Sequence, residues 1–375
     1  MSSIAASPGD SPRTPRSCVL RLGLPYGVVM ATGGAAQLAV TYGLGSAARS
    51  LLWLAVAEAG WIAGRGLLRR RNELHLPWST WARIGPPAEL TGVLTVPLGL
   101  AVVATGLATQ PGPAKVLGAS FVALAWLCTA AFLARLAISV ARKGGTTALD
   151  GGWFLAPAAV LGSGIAAGAY TADTAGALAH LLGWVALAAA AVGTAGYWAV
   201  VLGSAITFAR RGLGDSRRVL WWIAAGCGGL AATAIARGLS SGGPWSAGEK
   251  TFAHSAAIIT WSFAALLAVP IVAISVHFIV HCRRIGRAAP WPPTFSTAVF
   301  ALGALGTGKM LEIPAVTVVG KVAAAVTLAL WTVTAALHAS RLLQSTGRQL
   351  ANPTDRRDDP TVLTGLPHEQ APPAG

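Results

Sequence analysis

Ten apolar segments alternate with short polar breaks along the chain. They cover 19–42, 46–68, 88–109, 113–141, 153–171, 174–209, 218–240, 251–281, 292–310 and 315–343. Most hold the roughly 20 residues that a helix needs to cross a hydrocarbon core about 30 Å thick. Two, 153–171 and 292–310, are shorter but lie between clear breaks. The pattern predicts an all-α polytopic membrane protein with ten transmembrane helices.

The breaks have a rhythm of their own. Those after the odd-numbered segments are mostly very short, as at Gly43–Gly45 and Ala172–Asp173. The segments therefore pair into five helical hairpins. The first members carry Pro inside or near the span: Pro25, Pro97, Pro157, and Pro292 with Pro293. The seventh segment carries Gly226, Gly228 and Gly229 instead, and among the second members the eighth alone has an internal proline, Pro270. Pro and Gly weaken the helical hydrogen-bond ladder, which a membrane protein tolerates where protein or a water-filled cavity covers the freed groups. The odd helices are therefore expected inside, around a common axis, and the even helices outside.

Composition agrees with the pattern. Of 375 residues, 54% are hydrophobic and 11% charged, against about 25% charged in a soluble domain. The net charge of +15 would suggest nucleic acid in a soluble protein. Its placement gives a different reason. Short breaks hold few basic residues (Arg49, Lys115, Lys250, Lys309). Long breaks and the termini hold clusters: Arg13/Arg16/Arg21, Arg69/Arg70/Arg71/Arg83, Arg142/Lys143, Arg210/Arg211/Arg217/Arg218, Arg283/Arg284/Arg287 and Arg341/Arg348. By the positive-inside rule both termini are expected in the cytoplasm, in a multi-pass protein of the cell membrane. The charge is topological and calls for no nucleic-acid partner.

The termini read as disordered cytoplasmic segments, 1–18 and 345–375, around a ten-helix domain at 19–344. The first apolar run is longer than the core of a secretion signal. Cys18, Cys128, Cys227 and Cys282 lie far apart and read as small apolar residues rather than a disulfide or zinc framework. His277 and His281 share a helix face beside Cys282, but no third ligand is specified, so no metal or cofactor is expected. His180, His254 and His338 are isolated.

Ionisable residues inside apolar segments are functional candidates. Glu58 sits near the middle of the second helix, as a proton-coupling group or a hydrogen-bonded structural one. Arg237 and Lys309 lie near the outer ends of the seventh and ninth helices. They read either as an anion-attracting vestibule or as a snorkelling residue and a partner of Glu312. Lys321 is expected near the outer interface. No paired carboxylates share a helix face and no phosphate-binding loop follows a strand, so the chain does not read as an enzyme.

Several stretches, in order, resemble the tellurite-resistance/dicarboxylate transporter family, which includes bacterial tellurite-resistance proteins, yeast malate and sulfite transporters and plant slow anion channels. The first helix reads Pro25-Tyr-Gly-Val-Val-Met-Ala-Thr-Gly-Gly34, similar to the family's opening segment with Ala31 in place of a Gly. The fifth opens Gly151-Gly-Trp153-Phe-Leu-Ala-Pro157, the seventh has Trp222-Ile-Ala-Ala-Gly226, and the ninth has Phe300-Ala-Leu-Gly303 with Ala301 in place of a Pro. The resemblance covers about 19–343. It implies transport of a C4-dicarboxylate, tellurite, sulfite or a small inorganic anion through a pore in each protomer of a homotrimer. A Phe on the ninth helix blocks the pore in the family. Here that gate falls on Phe300, with Phe295 as the second candidate. The pore wall would come from small and hydroxyl residues of the inner helices: Thr32, Gly33, Gly34, Thr95, Gly162, Ser163, Gly164, Gly226 and Gly303. Helix packing is the competing role for each, because small residues also let helices approach in lipid. Two other readings stay open: a membrane-embedded enzyme of lipid metabolism, and a structural or sensory protein without a lumen.

Overall fold

A computed structural model describes residues 20–73, 93–142, 151–171, 174, 176–211, 222–240, 246–282 and 291–351. Among them are ten α-helices: α1 Leu20–Thr41, α2 Gly45–Glu73, α3 Thr95–Leu107, α4 Pro113–Arg142, α5 Leu155–Ala169, α6 Gly176–Arg211, α7 Trp222–Ser240, α8 Ala247–Cys282, α9 Trp291–Met310 and α10 Pro314–Ala351. A 3₁₀ turn, Gly151–Phe154, leads into α5. Among the described residues six segments are long and apolar enough to cross a membrane on those grounds alone: α4, Gly176–Ala209, Gly151–Ala169, Trp222–Leu239, Ala247–Ala273 and Pro314–Ser340.

Consecutive helices pack as hairpins, α1 on α2, α3 on α4, α5 on α6 and α7 on α8. In the fifth, α10 reaches α9 through Gly320, whose missing Cβ would lie 2.8 Å from the Leu305 nitrogen. The odd helices also pack on one another in a closed circuit: α1 on α3, α3 on α5, α5 on α7, α7 on α9 and α9 back on α1. The expected inner ring is therefore present, and its apolar clusters show where the packing lies. Leu52, Ala55 and Val103 fill the wedge between α1, α2 and α3. Ala104, Val122 and Ala166 fill the wedge between α3, α4 and α5. Leu38, Ala298 and Ala324 join α1, α9 and α10.

Between α7 and α9 the approach is backbone to backbone. A Cβ on Gly229 would lie 2.8 Å from the Phe300 Cα, and one on Gly303 would lie 2.5 Å from the Gly229 oxygen. Only glycine lets these two backbones touch.

Helix ends shift from the sequence reading for identifiable reasons. α8 begins at Ala247, not 251, because Ser246 and Glu249 form a capping box. The Ser246 N–H and hydroxyl donate to Glu249 Oε2 at 2.8 and 2.7 Å, and the Glu249 N–H donates to Ser246 Oγ at 3.3 Å. α10 continues to Ala351, past the expected boundary at 344, and the first helix-stopping proline in the sequence is Pro353. The chain divides at Trp331, and the second unit begins at Thr332. The leader 1–18, the tail from 352 and the basic clusters at 69–71, 83, 143, 217–218 and 283–287 lie outside the residues or side chains described, as do the side chains of Pro25, His277 and His281.

Candidate functional site

The ring encloses a cavity of about 1000 Å³, to which every odd helix contributes. The lining residues follow the helical repeat. On α9 they include Phe295, Val299, Leu302, Gly306 and Lys309, spaced three or four apart and so on one face. On α1 they are Gly34, Gln37 and Thr41, and on α7 they include Leu230, Thr233 and Arg237. Ala101 and Thr105 of α3 and Gly162 and Ile165 of α5 complete the wall.

The cavity reaches the surface at the hairpin-turn end of the ring, where Thr41, Lys250, Lys309 and Lys321 are exposed. Phe295 is its deepest residue on α9 and is itself buried. Toward the opposite end, large side chains at or near the starts of the odd helices, including Tyr26, Leu98, Phe154 and Trp291, are buried. Among the described residues the ring is thus hollow on one side of Phe295 and lined by buried large side chains on the other.

The wall is mostly apolar, and its hydroxyls are turned inward. Thr105 Oγ1 donates to the Ala101 oxygen and Thr233 Oγ1 to the Gly229 oxygen, each at 2.8 Å. Gln37 Nε2 donates to the Val102 oxygen at 3.0 Å, tying α1 to α3. Charge enters only near the surface. Arg237 and Lys309 occupy the last turns of α7 and α9. There a cation complements the helix dipole, and helical side chains lean toward the N-terminus, which here means back into the cavity. Lys250 and His254 of α8 and Lys321 of α10 add to them. No Asp or Glu stands among the described lining residues. A lumen with cations at its mouth and no carboxylate attracts anions and repels cations.

The sequence-predicted residues divide. Gly34, Gly162, Arg237 and Lys309 line the cavity. Phe295 lines it as well, whereas the Phe300 ring lies on Trp261 of α8, centroids 5.9 Å apart and planes 19° from parallel. Gly33 faces Val102 and Gly164 faces Ala189 of α6. Ser163 shares a 3.1 Å hydrogen bond with Thr129 of α4. Gly226 backs onto Ser296, and Gly303 onto Gly229. Thr95, at the start of α3, is half-buried.

Thr32 is fully buried and joins three helices. Trp331 Nε1 of α10 donates to its hydroxyl at 3.2 Å, and that hydroxyl is hydrogen-bonded to the Glu58 carboxylate of α2. Glu58 is thereby held between α1 and α2, with its Oε2 unpartnered among the described residues. Among the described residues no three His, Cys, Asp or Glu side chains gather as a metal site would require.

Lys250, His254 and Gln37 were missed from sequence. For the first two a signal existed: the capping box fixes where α8 starts, and residues four apart then share a face. Gln37 offered one as well, since it lies four residues before Thr41 and three after Gly34 on the first helix.

No curated protein matches the chain. Residues 25–339 match a family described as SLAC1, voltage-dependent anion channel.

Proposed function

The chain belongs to the SLAC1 family of voltage-dependent anion channels, a family of multi-pass membrane proteins that carry anions, and on that premise we propose that anions pass through the cavity between α1, α3, α5, α7 and α9. The observation that carries the reading is the lining itself: all five odd helices contribute, basic residues from four helices stand at the mouth, and no carboxylate is among the described lining residues. Arg237 and Lys309 draw anions to the hairpin-turn end. That end faces outward and both termini face the cytoplasm, a reading that the distribution of Lys and Arg supports. The protein resides in the cell membrane as a homotrimer with one path per protomer.

The gate we propose is Phe295. Its ring stands at the floor of the hollow half, on the same face of α9 as Val299, Leu302 and Lys309. A bulky ring in a narrow apolar passage obstructs ions by volume and by excluding water, and a rotamer change relieves both. Phe300 acts in packing α9 on α8 through Trp261.

The apolar wall also bears on the substrate. Taking an ion out of water costs several kcal/mol, and the cost grows with charge. The wall of Ile165, Leu230, Val299 and Leu302 offers few donors in return. A singly charged inorganic anion is favoured over a doubly charged dicarboxylate, sulfite or tellurite.

The test is flux in proteoliposomes. Phe295→Ala raises chloride or nitrate flux severalfold over the parent, and Phe300→Ala leaves it near the parent level. The reverse order, in well-folded variants, moves the gate to Phe300. No anion flux in either would overturn the transport reading.

A further inference from the structure

The cavity is far larger than a chloride or nitrate ion needs, and its two parts differ in chemistry. About 1000 Å³ is the size of a pocket for a drug-sized molecule. Such pockets are lined mainly by apolar side chains with a few polar groups that fix orientation. Here the apolar part is the wall of Ile165, Leu230 and Leu302, and the polar part is the cationic mouth.

Two of the cations reach the cavity from outer helices rather than from the ring. Arg237 and Lys309 sit at helix C-termini, where the dipole favours them. Lys250 sits in the first turn of α8, where the dipole opposes a positive charge. Glu249, beside it, is engaged by Ser246 in the capping box. Lys321 is exposed on α10, an outer helix, near the interface where a lysine is expected. Yet both line the cavity, together with His254 one turn along from Lys250. An anionic group resting in the mouth accounts for both placements.

We propose that the mouth of this cavity binds an amphipathic organic anion, its charged head among Lys250, Lys321, Arg237 and Lys309 and its hydrocarbon or aromatic body against the apolar wall, so that the bound molecule plugs the path. The commitment is to one anionic head on a rigid apolar body. The head alone finds cations in water-exposed positions and is held weakly. The body alone finds no orienting contact. Both together match the two halves of the cavity. The site rests on the reading of the cavity as the anion path only for its effect on flux; occupancy stands apart from it.

The probe is naphthalene-2-sulfonate, which is charged at every accessible pH. Two controls separate its parts: methanesulfonate carries the head, and naphthalene-2-sulfonamide carries the body without the charge. Binding is measured by equilibrium dialysis against the full-length protein in nanodiscs, and inhibition by chloride flux in proteoliposomes. The sulfonate is expected to bind and to inhibit from the hairpin-turn side, with both controls much weaker. Lys250→Gln and Lys321→Gln each weaken binding about fivefold, or about 1 kcal/mol, as a partly exposed ion pair would. Both lysines are exposed, so these variants keep the fold. Equal binding of methanesulfonate overturns the apolar half of the site. Equal binding of the sulfonamide, or unchanged binding in both lysine variants, overturns the cationic half. Lysine-dependent binding without any chloride flux in the parent protein leaves the site standing and sinks the transport reading instead.

Discussion

The odd and even helices differ in burial, length and grain. Of the apolar stretches, those in Gly151–Ala169 and Trp222–Leu239 are 78% buried within the protein, while those in α4, α6, α8 and α10 are 17–28% buried. Inner α3 has 13 residues and α5 has 15, whereas outer α6 and α8 have 36 each. Inner helices meet several neighbours, and α7 and α9 touch backbone to backbone at Gly229 and Gly303. Outer helices bury one stripe and present Trp53, Leu127, Val192 and Leu266 outward. Without a hydrophobic force between helices in lipid, association depends on close packing. The inner ring concentrates that packing, and the outer ring shields it.

A matched pair of substitutions tests the contrast. Gly229→Ala on α7 forces a methyl group into the Phe300 backbone, with nowhere to move. Gly183→Ala on α6 places the same methyl group where nothing lies within 4 Å. Overpacking costs about 1–3 kcal/mol, while an open helical Gly→Ala change is neutral or favourable by up to about 1 kcal/mol. Thermal unfolding in detergent is expected to separate the two, with Gly229→Ala lower. Equal midpoints would break the division into packed and shielding rings.

Charge divides the same way. Arg237→Gln and Lys309→Gln remove cations from the cavity lining, whereas Arg49→Gln removes one from the exposed start of α2. At low ionic strength the first two are expected to lower initial anion flux up to about tenfold. The loss fades toward about 1 M salt, where the Debye length is about 3 Å. Arg49→Gln changes flux little at any salt. A salt-independent loss would mean that Arg237 and Lys309 act through the fold.

This division was largely legible from sequence, and its fine structure was not. Proline and glycine on the odd segments marked the inner ring, and the basic clusters fixed the helix count. The phase of each inner helix was hidden. α9 is apolar nearly all round, so no stripe announces which residues face the lumen. Phe300 lies only five positions from Phe295, and its neighbours, not its own pattern, turn it to Trp261. Gly33, Ser163 and Gly226 misled for the same reason: small residues serve close packing and an open lumen alike, and only the partner decides. The even-helix cations Lys250 and Lys321 carry no mark of the lumen in their residue type, because a lysine near the end of an outer helix also suits the interface.

Glu58 lies on the boundary between the rings. Its carboxylate receives the Thr32 hydroxyl, next to Gly33 and Gly34 of the inner helix. If its role is to tie α2 to α1, Glu58→Gln keeps the acceptor oxygen and preserves both stability and the pH profile of flux. Glu58→Leu removes the acceptor and costs about 1–3 kcal/mol, since a buried donor loses its partner. A flux profile that loses its pH dependence in Glu58→Gln would assign the residue to proton coupling.

The smallest expected effect is at the turns that join inner to outer helices. α1 ends with Gly43 at φ 69°, and the Leu44 N–H closes on the Ala39 oxygen at 3.0 Å. α9 ends the same way, with the Ile313 N–H on the Gly308 oxygen at 3.0 Å, but its left-handed position is Glu312 at φ 55°. Both are six-to-one closures of a helix C-terminus, which favour glycine. A side chain in that region costs about 1–2 kcal/mol, partly offset by glycine's larger loss of freedom on folding, roughly 0.5–1 kcal/mol. Glu312→Gly is therefore expected to stabilise the protein by about 0.5–1 kcal/mol, and Gly43→Ala to destabilise it by a similar amount. Both changes lie on exposed turns beyond the cavity wall, so anion flux should stay at the parent level. A loss of stability in Glu312→Gly would show that the glutamate side chain contributes to the α9–α10 turn more than its backbone strain removes.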